Sequence, residues 1–449
     1  MYSIHHHDTI CALATAAGGA IGIIRISGRQ SLQAIGSVSS LQQDRLNANT
    51  AYHTFIKDDA GAVTDEVVVT VFRAPHSYTG EDSVEISCHG SRYILNRVLE
   101  LLISHGCRMA EPGEFTQRAY LNGKMDLSQA EAVADLIASQ SQATHRMAMS
   151  QLRGTFSSLL ATLRDKLLKL TSLLELELDF SDHEDLEFAD RHELRQLAND
   201  IDAHVLALAH SFEKGQALKE GIPVAIVGKT NVGKSTLLNR LLKDDRAIVS
   251  DIHGTTRDTI EDNITIGGIM FRFIDTAGLR QTDDTVEQIG IDRTYQAIDK
   301  ARIVLWVIDQ APSDTEQEEM TKRCKGKQLI IVQNKIDQTE TKNIPHAIGI
   351  AAKHGTNISL LEEEIYKAAD IPEITENDII VGNARHYDAL LRAHDSLQSV
   401  LEGMNANLSG ELISEDLRQT LTILAEITGG EIVTDEVLGN IFKNFCVGK

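Results

Sequence analysis

The sequence predicts a multidomain α/β and α protein, in which a doubly wound, mostly parallel sheet domain interrupts a helical domain and an N-terminal α+β domain precedes both. Three observations predict this. Short apolar runs alternate with helix-length segments between residues 215 and 370, the pattern of strands joined by crossover helices. Leucines recur at helical spacing on both sides of that stretch, and the first 120 residues mix short strands with helix. The predicted partition is therefore 1–120 for the N-terminal domain, 121–214 and 371–449 for the two parts of the helical domain, and 215–370 for the insert. A chain of 449 residues is in any case too long for one ordinary core.

In the first domain Val67–Phe72 and Val84–Ser87 read as strands, with a polar loop from His76 to Asp82 between them that turns at Gly80. Arg92–Ser104 reads as a helix stopped near Gly106. From about Leu127 long helices take over, and Leu194, Leu197, Ile201, Val205, Leu208 and Phe212 form a stripe of bundle-packing type. After Gly221-Ile222-Pro223, the runs Val224–Val227, Phe271–Ile274, Ile303–Ile308 and Leu329–Val332 supply the strands of the insert. Beyond about Pro372, Leu412, Leu417, Leu421, Leu424 and Ile427 line helix faces again.

Composition narrows the function classes. At 42% hydrophobic and 24% charged the chain has the make-up of a soluble globular protein. The leucine-rich stretch from Leu159 to Phe180 is broken by charges, so no membrane span is expected. Asp8 and small residues stand where a leader would carry its apolar core, and five scattered cysteines fit a reducing cytoplasm better than a disulfide framework or zinc site. His5, His6 and His7 are given no function. A formal charge of −22 argues against a broad nucleic-acid grip by the chain itself, which would rest on clustered Lys and Arg.

Gly228-Lys229-Thr230-Asn231-Val232-Gly233-Lys234-Ser235 follows a strand and precedes an apolar helix, the context a phosphate-binding loop requires. Its glycines let backbone N–H groups approach phosphate, Lys234 is placed to reach the β- and γ-phosphates, and the Ser235 hydroxyl is a magnesium ligand. Asp275-Thr276-Ala277-Gly278 ends a strand, putting Asp275 near magnesium and the Gly278 N–H near the γ-phosphate. Asn334-Lys335-Ile336-Asp337 follows another strand, and a carboxylate there accepts two hydrogen bonds from guanine N1 and N2, which adenine cannot offer. In that order the three motifs select GTP. Gly254-Thr255-Thr256-Arg257-Asp258 supplies a first switch, with Thr256 as the second hydroxyl on magnesium. Leu279 stands where Ras-like enzymes carry a water-orienting glutamine. Glu287 is the candidate replacement, set against a plain solvated helix charge.

These residues, together with Gly22-Ile23-Ile24-Arg25-Ile26-Ser27-Gly28, Ser77-Tyr78-Thr79-Gly80-Glu81-Asp82, Pro112-Gly113-Glu114-Phe115-Thr116, Asp275–Arg280 and the tail Phe445-Cys446-Val447-Gly448-Lys449, make the chain resemble the MnmE (TrmE) family of tRNA-modification GTPases essentially end to end. The resemblance implies a folate-binding-like N-terminal domain that forms a constitutive homodimer, a discontinuous helical domain, and an inserted Ras-like P-loop GTPase domain. It places a 5-formyltetrahydrofolate-type donor on Arg25, Glu85, Lys124 and Lys449. It adds Thr236, Ser250, Asp251, Ile252, His253, Ala351, Ala352 and Lys353 to the GTP contacts, and assigns potassium to Asn231, Ser250, Ile252 and Thr255. Glu287, Lys234 and Thr256 become the catalytic set, with GTPase domains dimerising across potassium rather than using an arginine finger. The family acts with a flavin-containing MnmG-type partner, in a heterotetramer, to place a carboxymethylaminomethyl-type group on position 5 of the wobble uridine of certain tRNAs.

Two departures stand out. Ala351-Ala352-Lys353 replaces a Ser-Ala-Lys guanine-backing motif, losing one hydroxyl, and Lys229-Thr230 replaces a common Arg-Pro pair. The tail Cys446-Val447-Gly448-Lys449 formally fits a prenylation box, but Gly and Lys are poor there and no polybasic run precedes it, so Cys446 reads as structural or ligand-shaping. The rival reading is a ribosome-assembly GTPase switch that binds rRNA. Such switches usually append a basic RNA-binding domain, which is absent here, whereas Arg25, Glu85 and Lys124 are present. A dynamin-like assembly would need a membrane-binding segment.

Overall fold

Strand alternation builds the N-terminal domain. The computed structural model of the chain describes residues 8–179, 191–245, 262–274, 287–338, 344–371, 375, 378–406, 408–430, 435–443, 445, 447 and 448. Among them, β1 (Thr9–Leu13), β2 (Ile21–Ser27), α1 (Ser31–Val38), β3 (Thr50–Lys57), β4 (Val63–Phe72), β5 (Ser83–His89), α2 (Arg92–Ser104) and β6 (Cys107–Met109) succeed one another. The strands form one sheet in the order β3-β4-β5-β2-β1-β6, antiparallel except for the β1–β6 pair. Val67, Val69 and Val71 of β4 point inward with Ile24, Ile26, Val84 and Ile86, against Ile35 of α1 and Leu95, Val98 and Leu102 of α2. α2 spans its predicted residues, and the chain turns after it at Gly106, φ 96°. β4 begins four residues before its predicted start, because Asp65 disguises the alternation. This inward-facing carboxylate accepts from the His89 backbone N–H at 2.9 Å and lies 2.7 Å from His89 Nδ1.

α3 (Glu114–Leu121) and α4 (Leu127–Ala138) follow the sheet. α3 carries a buried cation, Arg118, whose side chain is 8% exposed. Its guanidinium donates to Asp8 Oδ1 at 2.7 Å, Glu114 Oε1 at 2.9 Å and Glu81 at 3.2 Å. Arg108 binds the same Glu114 at 2.6 Å and Asp8 at 2.6 Å. Burial alone would raise the Glu114 carboxyl, but the Arg108 hydrogen bond, the Glu111 N–H and the charge of Arg118 outweigh it and hold the group below its ordinary range. Asp8 is lowered in the same way, burial opposing and Arg108 and Arg118 prevailing.

α5 (Gln142–Leu152), α6 (Thr155–Asp179) and α7 (Arg191–His210) lead to α8 (Phe212–Glu220) and β7 (Ile222–Val227). By contacts, residues 139–147 and 207–387 form one compact unit and the remainder another. The first of these units is built on a sheet of order β12-β11-β10-β7-β9-β8, parallel except for the edge strand β8. Its further elements are α9 (Lys234–Asp245), β8 (Asp262–Ile266), β9 (Ile269–Phe273), α10 (Glu287–Lys300), β10 (Ile303–Ile308), α11 (Asp314–Arg323), β11 (Gln328–Gln333), β12 (Ala347–Gly349) and α12 (Ile358–Ala368). β10 shows why both faces must be covered. Ile303, Leu305 and Val307 pack with Leu237 and Leu241 of α9 and Leu361 and Ile365 of α12, while Val304, Trp306 and Ile308 pack with Ala297 and Ile298 of α10. This is the predicted doubly wound domain.

α13 (Ala384–Asn405), α14 (Gly410–Thr428) and α15 (Asp435–Phe442) complete the chain. α14 buries Ile413, Leu417, Ile423, Leu424 and Ile427, whereas Leu412 is 58% exposed. Leu417, Leu424 and Ile427 thus line the face as predicted, with Ile413 and Ile423 beside them, and Leu412 lies off it. In the bundle, buried Asp202 of α7 pairs with His394 Nδ1 at 2.6 Å and accepts from Gln398 Nε2 at 2.7 Å, both on α13.

Replacing Arg118 by Met should destabilise the N-terminal domain by about 3 kcal/mol, since it removes one of the two arginines that Asp8 and Glu114 share and leaves Glu81 without its buried guanidinium. Thermal unfolding monitored across pH checks this. Wild-type stabilisation from Asp8 and Glu114 is present above the ordinary carboxylate pKa and is lost as pH falls through their depressed folded values. The variant should show a smaller acid-side loss, because Arg108 still holds both carboxylates.

Candidate functional site

The loop after β7 is shaped by backbone positions that exclude side chains. Gly228 has φ 147°, and a Cβ there would stand 2.1 Å from the Val307 carbonyl oxygen. Gly233 has φ 98°, with its Cβ position 2.2 Å from Asn334 Nδ2. Between them Asn231 also takes a positive φ, 63°. α9 starts at Lys234, so Lys234 and Ser235 stand in the first turn, where N–H groups have no intrahelical acceptor. Lys234 Nζ donates to the carbonyls of Gly228 at 2.8 Å and Lys229 at 2.7 Å, and burial pushes its pKa down. Lys229 pairs at 2.6 Å with Glu316, which also closes a capping box with Ser313 at the start of α11. The loop is therefore tethered at both ends.

Asn334 joins the loop to the end of β11. It is 3% exposed; its amide nitrogen donates to the Val232 carbonyl at 2.8 Å, and its amide oxygen accepts from the Ala352 N–H at 3.0 Å. One side chain thus ties together three separately predicted segments: the phosphate loop, Asn334–Asp337, and Ala351–Lys353. Lys335 adopts φ 64° and pairs with Asp309 at 3.1 Å. Asp337 lies 3.3 Å from His354 Nε2. Ala351 and Ala352 are buried and Lys353 is exposed, with the Arg240 guanidinium packed against Gly355 just beyond. Val232 is buried beneath the loop, and Thr236 is exposed on α9. Ser250, Asp251, Ile252, His253, Gly254, Thr255, Thr256, Asp275, Thr276, Ala277, Gly278, Leu279, Cys446 and Lys449 lie outside the described residues. Glu287 is the first residue of α10, and its side chain is likewise outside them.

The second predicted cluster assembles on the N-terminal sheet. Arg25 and Glu85 face each other across β2 and β5, and the Arg25 Nε and Nη2 atoms donate to Glu85 Oε1 at 3.0 and 2.8 Å. The guanidinium also stands 5.4 Å from the Tyr78 ring and 5.7 Å from the Phe115 ring. The C-terminal tail reaches the same place. Val447 bridges Pro112, and the Gly448 carbonyl accepts from Arg25 at 3.4 Å. Gly448 (φ 94°) runs so close to Leu13 that a Cβ would stand 2.0 Å from its carbonyl oxygen. Lys124 donates to the Pro75 carbonyl at 2.9 Å, and its stem underlies Gly80. It therefore holds the loop that presents Tyr78, whose hydroxyl lies 2.8 Å from that of Thr116. Sequence reasoning missed Tyr78 and Phe115 as partners of Arg25, although both belong to motifs already singled out. It also missed His354, Arg240 and Asp309, which no sequence pattern marks.

Residues 127–446 match the family model described as MnmE helical domain, and residues 9–124 match that of GTP-binding protein TrmE N-terminus. A tRNA modification GTPase MnmE from Bacteroides fragilis is 53% identical over 466 residues, spanning 99% of this chain and 100% of the relative. Proteins of the same name from Bacteroides thetaiotaomicron and Flavobacterium johnsoniae are 53% and 49% identical over the same shares.

Asn334→Ala should leave the Val232 carbonyl and the Ala352 N–H unpaired in a buried setting, costing about 1–3 kcal/mol. Titration with a non-hydrolysable guanine nucleotide should show affinity down by at least about tenfold, with a matching fall in the melting temperature.

Proposed function

The chain belongs to the tRNA-modification GTPase MnmE family, and we propose that it hydrolyses GTP to drive modification of wobble uridine at position 5 in certain tRNAs. The observation that carries the GTPase reading is the Asn334 side chain, which holds the phosphate loop and the guanine-reading segment in one fixed relation. In this reading Asp337 accepts from guanine N1 and N2, and the alanine at position 351 costs little because base recognition there runs through backbone N–H groups. The hydroxyls of Ser235 and Thr256, with Asp275 near them, are hard oxygen donors of the kind magnesium takes, and the ion would offset charge on the phosphates. Lys234 adds a second cation at the β–γ bridge, and Glu287 orients the attacking water in place of Leu279. Asn231, Ser250, Ile252 and Thr255 contribute oxygens to potassium, the cation that completes the charge balance in the absence of an arginine finger.

The remaining parts of the reading extend from the family. Arg25, Glu85, Lys124 and Lys449 bind a 5-formyltetrahydrofolate-type donor, supported by the meeting of Arg25, Glu85 and the tail at one point of the sheet. A homodimer through the N-terminal domain is supported by the sheet's open face, where Ile21, Phe55 and Val68 are 62%, 38% and 42% exposed. An MnmG-type flavoprotein supplies the redox chemistry and most of the tRNA grip, in keeping with the charge of −22. The proposed domains are 1–120, 121–214 with 371–449, and 215–370, in a cytoplasmic protein; no described helix is long and apolar enough to cross a membrane.

Wobble-uridine analysis of tRNA from a strain lacking the gene tests the reading. Loss of the position-5 group, restored by the wild-type gene and not by Lys234→Ala, is the expected result. Unmodified uridine in neither strain would favour the rRNA-binding switch instead.

Turnover in matched potassium and sodium buffers tests the ion. Potassium should raise kcat by at least about tenfold, and Asn231→Ala should remove the difference while GDP affinity stays near wild type. Equal rates in both salts would assign the missing charge to another group.

A further inference from the structure

Both nucleotide-sensing segments hang from one hairpin. Residues 246–261, with the predicted first switch, lead directly into β8, and β9 leads directly into Asp275. The turn between the strands is Gly267–Gly268, with φ 58° and 80°. A segment more than a hundred residues earlier in the chain seats on that turn. The Ala143 N–H donates to the Gly268 carbonyl at 3.0 Å, and Ala143 itself is 7% exposed within the core of the sheet domain. A Cβ on Gly268 would stand 2.9 Å from Gln142 Oε1 and 3.2 Å from Gln142 Cβ, so the fit leaves no slack. On the other side of the turn the Tyr366 ring lies 2.6 Å from the Gly267 Cβ position.

The seated segment is the start of α5. Ser141 and Thr144 cap it reciprocally: the Thr144 N–H donates to Ser141 Oγ at 3.2 Å, and the Ser141 N–H donates to Thr144 Oγ1 at 3.1 Å. Ala143 is the second helical residue, so its N–H has no intrahelical acceptor, and the hairpin carbonyl satisfies it. Residues 139–147 group with the sheet domain. A shift of the hairpin relative to residues 139–147 must therefore break the Ala143–Gly268 bond.

We propose that Ser141–Met147 is a positioning element for GTP hydrolysis, which holds the β8–β9 hairpin, from whose two ends both predicted switch segments depart, in one register. The inference rests on the GTPase reading above.

Amide hydrogen exchange on the full chain, with GDP alone and with GDP plus aluminium fluoride in potassium buffer, is the direct test. Peptides covering 139–147 and 262–273 should change protection together, by about tenfold. A change in the hairpin peptides with 139–147 unaltered, or no change in either, overturns the proposal. In parallel, Ala143→Pro deletes the donor at a first-turn position where proline is tolerated, and Gln142→Ala trims the packing more gently. Each should lower kcat, by about fivefold and twofold, with KM within about twofold of wild type. A merely structural role would lower the melting temperature and leave kcat alone, and wild-type kcat in both variants overturns the proposal. Lys234→Ala separates the two levels. If it is inactive while both α5 variants turn over normally, only this inference fails; if it retains full turnover, the GTPase reading itself fails.

Discussion

The sheet domain is organised around a single buried amide. Asn334 has one strong acceptor and one donor group, and both are used by backbone atoms of other segments, Val232 and Ala352. Neither contact can be replaced by water, because the residue is almost wholly buried. The close fit explains the neighbouring glycine: at position 233 any side chain would collide with the amide nitrogen. Phosphate geometry and base geometry are thereby linked through one rotamer. An error in the base loop becomes an error in the phosphate loop, which suits a site that must test both ends of one nucleotide.

The N-terminal domain is organised by charge. Arg118 and Arg108 share Asp8 and Glu114, and Glu81 joins the same group while accepting from the Ser27 hydroxyl at 2.8 Å. That network fixes the loop bearing Tyr78, and Tyr78 with Phe115 flanks Arg25. The ion cluster therefore acts at a distance on the Arg25–Glu85 pair, by setting the aromatic walls around it. The tail arrives against this prepared surface, and its close approach to Leu13 admits only glycine at 448.

Six of the twelve described strands, and the nucleotide motifs, are legible in the sequence because their physics is local. A phosphate loop needs glycine where the backbone turns, and an alternating strand declares its buried face. β4 was read too short because the sign of one residue misled: Asp65 points inward, and only its pairing with His89, twenty-four positions away, makes that tolerable. Leu412 was assigned to a buried face for the converse reason. At the start of the helix Ile413, the next residue, takes the place on the face that leucine spacing gives to Leu412.

By itself the sequence determined the doubly wound character of the sheet domain and marked the segments expected to take phosphate and guanine, since each is written in contiguous spacing. Tertiary structure alone decided which distant groups complete those sites. Asn334 with Ala352, Arg25 with Gly448, and Ala143 with Gly268 are pairs between backbone carbonyls or N–H groups and remote partners. Every residue but proline carries both backbone groups, so such contacts leave no compositional trace. They exist only once the elements that bring them within three and a half ångströms have packed.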